Sequence, residues 1–350
     1  MNRSLVFFLV GTLVLFITIV APFLTLLAWL SSESVVLFLF IGMLLSFPVF
    51  MSFWYTLNKS HNMWARWLWM QTLGLGTLLM LLMLLASAFI WAFDTVTLGL
   101  AVLCIWPVLS LFSLWQALSV KTRKLTLSSH KISKPVKLVQ ISDVHIGSRS
   151  SAFLDKTVRK VNQHDADLVC ITGDLLDASS VNTKDLSPLT QLNAPAYMCI
   201  GNHERYVDLN KALSAIEQNG VHVLRDTFLT AANLQIIGID DRDKPDDLPG
   251  VLSSMAISDT DYSVLLYHRP DGWAAAIERN IDLTLAGHTH AGQMWPFGLL
   301  VKRQYPNMAG YFTQGIAHLY VSVGTGTWGP VFRFGTRSEM TVIEIKPQTP

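Results

Sequence analysis

Residues 4 to 30, 34 to 57, 67 to 93 and 95 to 120 contain no Asp, Glu, Lys or Arg. Each stretch is rich in Leu, Phe, Val and Met, and each exceeds the about 20 residues that a helix needs to cross a bilayer core. In lipid a segment must satisfy its own backbone polar groups, so these stretches are expected to be helices. The first run is much longer than the apolar core of a cleaved signal sequence, and no small-x-small site follows it, so it is read as retained. The strongly polar residues inside the spans are Gln71 and Gln116. No ionisable residue marks a transport path there. Residues 1–120 are therefore expected to form a four-helix transmembrane anchor, with Trp64, Trp67 and Trp69 in an interfacial belt.

The charges between the spans alternate. Arg3, then Lys59 and Arg66, then Lys121, Arg123 and Lys124 fall on one side; Glu33 and Asp94 fall on the other, with no base beside them. The positive-inside rule places both termini, and everything after residue 120, in the cytoplasm. An integral protein of a bacterial inner membrane is the expectation. Cys104 lies in a span, Cys170 and Cys199 lie in strand-like apolar runs, and their spacing suits neither a disulfide framework nor a zinc ribbon.

Residues 121 to 137 hold six bases and no acid. Residues 121–135 are read as a basic juxtamembrane linker ended by Pro135, solvated and attracted to anionic headgroups. The remainder is close to charge balance, so no nucleic-acid partner is expected.

From residue 136 the pattern changes to short apolar runs, each followed by an acid, an amide or a histidine. Val136 to Ile141 reads as a buried strand, and Asp143 and His145 leave its end. At i and i+2 of extended chain they point the same way. Residues 151 to 163 read as an amphipathic helix, with Phe153, Leu154, Val158 and Val161 on one stripe. A second strand, Asp167 to Ile171, runs to Asp174; residues 195 to 200 run into Gly201, Asn202 and His203; 262 to 267 end at His268; and 281 to 286 end at Gly287, His288 and His290. Ligands of open α/β sheets collect at the carboxyl ends of strands. One such ending is an accident of sequence; five in order describe a site. Oxygen and imidazole donors without thiolate suit Mn, Zn or Fe, with Mg next. Ions so held can polarise a bound electrophile and lower the pKa of a bound water.

The endings DVH at 143–145, GDLLD at 173–177, GNHE at 201–204, His268 and GHTH at 287–290 resemble the calcineurin-like metallophosphoesterase superfamily, in its motif order. The resemblance covers about residues 136 to 290, and the tail to 350 resembles the family's closing strands. It implies an α/β fold for 136–350: a four-layer metallophosphoesterase β-sandwich flanked by helices, here preceded by an all-α transmembrane region of four helices. It also implies two divalent metal ions. Asp143, His145, Asp174 and His290 would hold one; Asp174, Asn202, His268 and His288 would hold the other, with Asp174 bridging. His203 would lie at the scissile phosphate, stabilising charge or protonating the leaving oxygen.

Two positions depart from the family pattern. Ala178 stands where many relatives have Arg after the second motif, which leaves the role of Asp177 open, and Ala291 stands where many have Gly, a change of one methyl. Other signals carry less. GTGTWG at 324–329 satisfies G-x-G-x-x-G, but Pro330 and an extended segment follow instead of a helix, so a dinucleotide site is rejected. His61, His130, His164, His222 and His318 fit no ligand pattern, and Asp240, Asp241 and Asp243 read as a solvated loop. Residues 293 to 306 are either a hairpin packed on the domain's core or an apolar lip beside the metals, presenting Trp295, Phe297, Leu299 and Leu300 with Lys302 and Arg303.

The expected protein is a membrane-anchored two-metal hydrolase of phosphodiester or pyrophosphate bonds. Its partners would be the lipid bilayer and a phosphate-ester substrate, lipid or lipid-linked. The alternatives are a tethered phosphodiesterase acting on soluble substrates, and a non-enzymatic metal-binding scaffold. A transporter is disfavoured by the charge-free spans.

Overall fold

The computed structural model describes residues 3–59, 63–242 and 247–348. His61 and Asp243 lie outside the described residues, as do the side chains of Arg3, Lys59, Trp64 and Arg66. The chain divides into two compact units, Met1–Trp115 with Gly329–Phe332, and Gln116–Trp328 with Arg333–Pro350.

The first unit is helical. α1 (Arg3–Leu15) passes through a π-helical turn, Phe16–Val20, into α2 (Ala21–Ser31). Then come α3 (Val35–Lys59), α4 (Met63–Ser87) and α5 (Thr95–Leu118). Among the described residues, four stretches, Val6–Ser31, Val35–Thr56, Trp67–Ser87 and Thr95–Leu118, are long and apolar enough to cross a membrane. Asp94 starts α5: its carboxylate accepts from Thr97 N at 2.9 Å and Thr97 Oγ1 at 2.7 Å. Leu26, Trp29, Leu79, Met83, Leu98 and Val102 pack inside, while Phe40, Leu44, Leu84 and Leu111 stay exposed. Apolar side chains on both faces suit a lipid solvent. The short segment Gly329–Phe332 belongs to this unit: Val331 N donates to Gln71 Oε1 at 3.1 Å. The polar Gln71 thus satisfies a buried amide.

The second unit holds two six-stranded sheets. Its strands are β1 (Lys121–Ser129), β2 (Val136–Ile141), β3 (Leu168–Thr172), β4 (Ala196–Cys199), β5 (Val221–Val223) and β6 (Thr227–Ala231). They continue with β7 (Leu234–Ile239), β8 (Tyr262–Tyr267), β9 (Leu283–Ala286), β10 (Gly310–Gln314), β11 (Ala317–Val321) and β12 (Glu339–Pro347). The sheet orders are β1-β12-β2-β3-β4-β5 and β10-β11-β9-β8-β7-β6. β2, β3 and β4 run parallel, as do β8 and β9. The five motif-bearing strands therefore present their carboxyl ends along two sheets.

Alternation along each strand builds the layers. Val136 and Leu138 of β2 meet Leu168, Leu234, Leu266 and Leu283 between the sheets. Val139 and Ile141 face outward, against α6 (Ser151–Asn162) and α8 (Leu209–Glu217), through Leu154, Val158 and Ile216. On the far side Ile237 and Leu265 pack against α9 (Leu248–Ser253) and α10 (Trp273–Glu278), through Leu252 and Ala276. The result is the expected helix–sheet–sheet–helix sandwich. Two further helices, α7 (Asn202–Tyr206) and α11 (Phe297–Gln304), follow β4 and β9. Gln140 joins the sheets, its Nε2 donating to Thr172 Oγ1 and Ala286 O at 2.9 Å each.

The basic linker expected at 121–135 is, in its first nine residues, β1: it pairs in parallel with β12, from Lys121 beside Glu339 to Ser129 beside Pro347. Leu127 enters the core between the sheets, and Arg123 Nε lies 3.0 Å from Glu339 Oε2. The lysines belong to an edge strand, where charge discourages pairing with another chain. The globular unit therefore begins before β1.

A piece of the chain starting at residue 130 lacks this strand, bares β12 and loses the Leu127 contact. It is expected to be less stable by about 2 kcal/mol or more than a piece starting at residue 119. Thermal unfolding followed by circular dichroism would show a lower midpoint and more aggregation for the shorter piece; equal midpoints would count against an integral β1.

Candidate metal centre

The ligand set predicted from sequence comes together at the strand ends. Five of its members, Asp143, His145, Asp174, His288 and His290, have left-handed backbone, with φ of 52°, 55°, 53°, 72° and 48°. Left-handed non-glycine residues are uncommon, and they cluster where function holds strain. Here each strand ends in a sharp turn that throws its side chain into the common space. The neighbouring glycines make room: a Cβ at Gly201 would overlap the Asp174 carboxylate, and one at Gly287 would overlap Asp143 and Ser142.

Among the described residues, three groups of side chains have donor atoms close enough to share an ion: Asp143, His145 and His290; His145, Asp174 and His203; Asp174, His268 and His288. His145 Nε2 faces His290 Nε2 at 3.1 Å, and His268 Nε2 faces His288 Nδ1 at 3.2 Å. Two imidazole nitrogens bound to one tetrahedral ion at about 2.0–2.1 Å stand roughly 3.3 Å apart, so these spacings fit a metal. Asp174 Oδ2 lies 3.2 Å from His268 Nε2 and 3.9 Å from His145 Nε2, and Asp143 Oδ1 lies 3.4 Å from His290 Nε2. Asn202 Oδ1 lies 3.2 Å from His268 Nε2. His203 Nε2 stands 4.0 Å from Asp174 Oδ2, within the same cluster of donors.

Three of the inward-facing imidazoles have their other nitrogen held from behind. His268 Nδ1 meets Thr172 O at 2.8 Å, which fixes the tautomer that leaves Nε2 free. His288 Nε2 meets the Tyr305 hydroxyl at 3.2 Å. His290 Nδ1 meets Arg333 Nη2 at 3.2 Å, and His145 Nδ1 faces Asp177 Oδ2 at 3.5 Å. Such partners orient metal-binding histidines. Asp177 also accepts from Ser148 N at 2.9 Å, so it stands behind a ligand rather than among the donors.

Charge follows this geometry. Burial disfavours the His268 imidazolium, but the carboxylates of Asp174 and Asp143 outweigh it and hold its pKa up at about 10, so an ion binding at Nε2 would displace a proton from it. Burial, with the charges of His268 and Arg269, pushes His288 down to about 3. Burial, with His145 and Arg333, pushes His290 well down. His288 and His290 thus stay neutral, as ligation requires. Burial raises the Asp174 carboxyl, but His268 more than reverses this and holds it well below the usual range.

Four site residues lacked a sequence signal of their own. Glu204 is buried, and its carboxylate accepts from Asp174 N at 2.9 Å, Leu175 N at 2.7 Å, Leu176 N at 3.1 Å and Gly201 N at 2.8 Å. An acid inside GNHE was the available hint. Arg333 is fully buried and donates to Val323 O at 2.6 Å and Gly326 O at 2.8 Å as well as facing His290. Tyr305 and Thr325 follow from tertiary folding alone. Thr325 N donates to Ser142 O at 2.7 Å, and Gly326 N donates to Asp143 O at 3.0 Å. The rejected GTGTWG motif is thus a wall of the metal centre.

Three expectations need correction. Asp241 is not solvated: it is buried in a two-point ion pair with Arg269, at 2.5 and 3.1 Å. Residues 297–304 form helix α11 with no buried residue, so the hairpin alternative fails. Ala291 adopts φ 50°, where a methyl costs about 1 kcal/mol relative to glycine, so its departure from the family pattern is more than a matter of size. His164, His222 and His318 sit elsewhere, against Thr122, Tyr197 and Tyr311, and His130 is exposed.

Comparison with known proteins agrees with this geometry. Residues 136–292 match the family model described as calcineurin-like phosphoesterase. An uncharacterized metallophosphoesterase of Campylobacter jejuni is 32% identical over 68% of this chain and 68% of its own length. The chain belongs to the calcineurin-like phosphoesterases. A similar Helicobacter pylori protein is 32% identical over 65% of this chain, which spans 64% of that relative's length. A Danio rerio relative named as a transmembrane protein with a metallophosphoesterase domain is 30% identical over 60% of this chain and 53% of its own length. This calcineurin-like phosphoesterase also has, among its described residues, four N-terminal helices long and apolar enough to span a membrane.

Replacing Glu204 with Gln keeps the shape but turns an amide toward backbone N–H groups. Loosening a partner behind metal ligands costs about 10–100-fold in metal affinity. Metal content measured against a graded chelator should fall by that factor in Glu204→Gln; unchanged retention would remove Glu204 from the site's support.

Proposed function

We propose that this phosphoesterase is a membrane-anchored two-metal hydrolase of phosphodiester or pyrophosphate bonds in a lipid or lipid-linked substrate, facing the cytoplasm of a bacterial inner membrane. One observation carries the two-metal reading: Asp174 Oδ2 faces His268 on one side and His145 on the other. Asp143, His145, Asp174 and His290 would hold one ion, and Asp174, Asn202, His268 and His288 the second. The oxygen and imidazole donors suit manganese, zinc or iron ahead of magnesium. When bound, such a pair supplies Lewis acidity to the phosphate and lowers the pKa of an attacking water. The chain's own residues do the positioning. Asp174 Oδ1 accepts from His203 N at 2.9 Å, which sets His203 at the edge of the donor cluster. There it would give a proton to the leaving oxygen.

The lipid reading is supported by residues next to the centre. Trp295, Phe297, Leu299 and Leu300 are all exposed, and Lys302 and Arg303 follow in the last turn of α11. Tyr305, directly after that helix, meets His288. An apolar surface rimmed by bases suits the boundary between acyl chains and anionic headgroups. The candidate spans keep the catalytic unit within reach of a bilayer.

The test uses full-length protein in detergent, stripped of metal and reloaded with manganese. Hydrolysis of a soluble aryl phosphodiester is compared with hydrolysis of a phospholipid in anionic vesicles. Trp295→Ser with Phe297→Ser should lower the vesicle-to-soluble ratio about tenfold, as expected for lost burial of aromatic area. Asp174→Asn should abolish both activities. An unchanged ratio sinks the lipid reading alone; turnover surviving Asp174→Asn sinks the metal assignment.

A further inference from the structure

Trp328 and Tyr206 are 58% and 70% exposed, although both stand beside a histidine of the buried centre. The His203 ring lies 5.2 Å from the Tyr206 ring and 6.2 Å from the Trp328 ring. They reach His203 from different elements. Tyr206 ends α7, which begins at Asn202. Trp328 closes the loop whose Thr325 and Gly326 hold Ser142 and Asp143.

Trp328 is held in place by its backbone. Gln293 Oε1 accepts from Trp328 N at 3.0 Å, and Gln293 Nε2 donates to Trp328 O at 3.0 Å. Gln293 is itself in strained backbone, with φ 55° and ψ −48°. Strain of this kind persists where the surroundings over-determine it. A strained glutamine whose amide holds both the N–H and the carbonyl of Trp328 is a device for presenting the exposed indole beside His203. An indole gains most by burial, so an exposed one forgoes stabilisation that a ligand would restore.

We propose that Trp328 and Tyr206 form a stacking subsite for a flat ring on the phosphoester, a nucleobase being the natural instance. The proposal rests on the reading that the phosphate binds at the metal centre beside His203. Both rings offer a π-face, and neither needs a particular hydrogen-bonding edge, so the subsite selects for a ring rather than for one base. Gln293 is a positioning residue, acting through Trp328.

Isothermal titration of the manganese-loaded full-length protein tests this without turnover. The ligands are adenosine 5′-monophosphate and ribose 5-phosphate, which differ by the base. The wild type should bind the nucleotide about tenfold more tightly or better, the range that base stacking supplies. Trp328→Ala should erase most of that preference, and Trp328→Phe should keep most of it. Gln293→Ala should reduce the preference while the Trp remains. Equal affinity for both ligands in the wild type overturns the subsite, as does a parallel loss of both in Trp328→Ala. Metal content of the same samples separates two failures: equal binding with metal present sinks the ring subsite alone, whereas no phosphate binding and no metal sinks the metal-centre reading with it.

Discussion

The buried carboxylate of Glu204 sets the geometry on which the centre depends. It collects four backbone N–H groups, three from the turn after β3 and one from the turn after β4. Those turns carry Asp174, Asn202 and His203. Asp174 adopts left-handed backbone, which costs about 1–3 kcal/mol when nothing compensates for it. Charge-assisted hydrogen bonds to a buried carboxylate are about twice as strong as neutral ones, so this cradle can hold the turn. Burial and the Asp174 charge push Glu204 up to about 7. Compensation comes from the amides and from His268.

The same logic extends around the site. His268, His288 and His290 are each aimed by a group behind them, and each such group comes from a different part of the fold. A strand's end supplies Thr172, the segment after α11 supplies Tyr305, and the closing segment supplies Arg333. The centre is therefore a property of both sheets together. Gln140, donating to one strand of each sheet, links them beside the centre. Groups held this way fit chemistry that depends on preorganised charge more than on a moving nucleophile.

Much of this was legible in the residues. Motif ligands follow apolar strands because parallel strands gather their carboxyl ends, so Asp143, His145, Asp174, Asn202, His268, His288 and His290 could be named without coordinates. The four apolar spans were equally plain, since length and lack of charge suffice. Other features were hidden for physical reasons. β1 reads as a linker because an edge strand carries charge on its open side, and Leu125 and Leu127 are a faint alternation among bases. Asp241 looked solvated because its partner Arg269 is distant in sequence. Arg333 sits in an aromatic run with no pattern around it; only folding brings it to His290. The glycine-rich GTGTWG was rejected as a nucleotide loop for lack of a helix, and it serves instead as backbone that passes close to Asp143.

The most direct test of the central claim is an anomalous-scattering map of crystals of the manganese-loaded protein. The account predicts two peaks about 3.5–4 Å apart, with Asp174 between them, His145 and His290 on one, and His268 and His288 on the other. A single peak, or manganese bound away from Asp174, would contradict it.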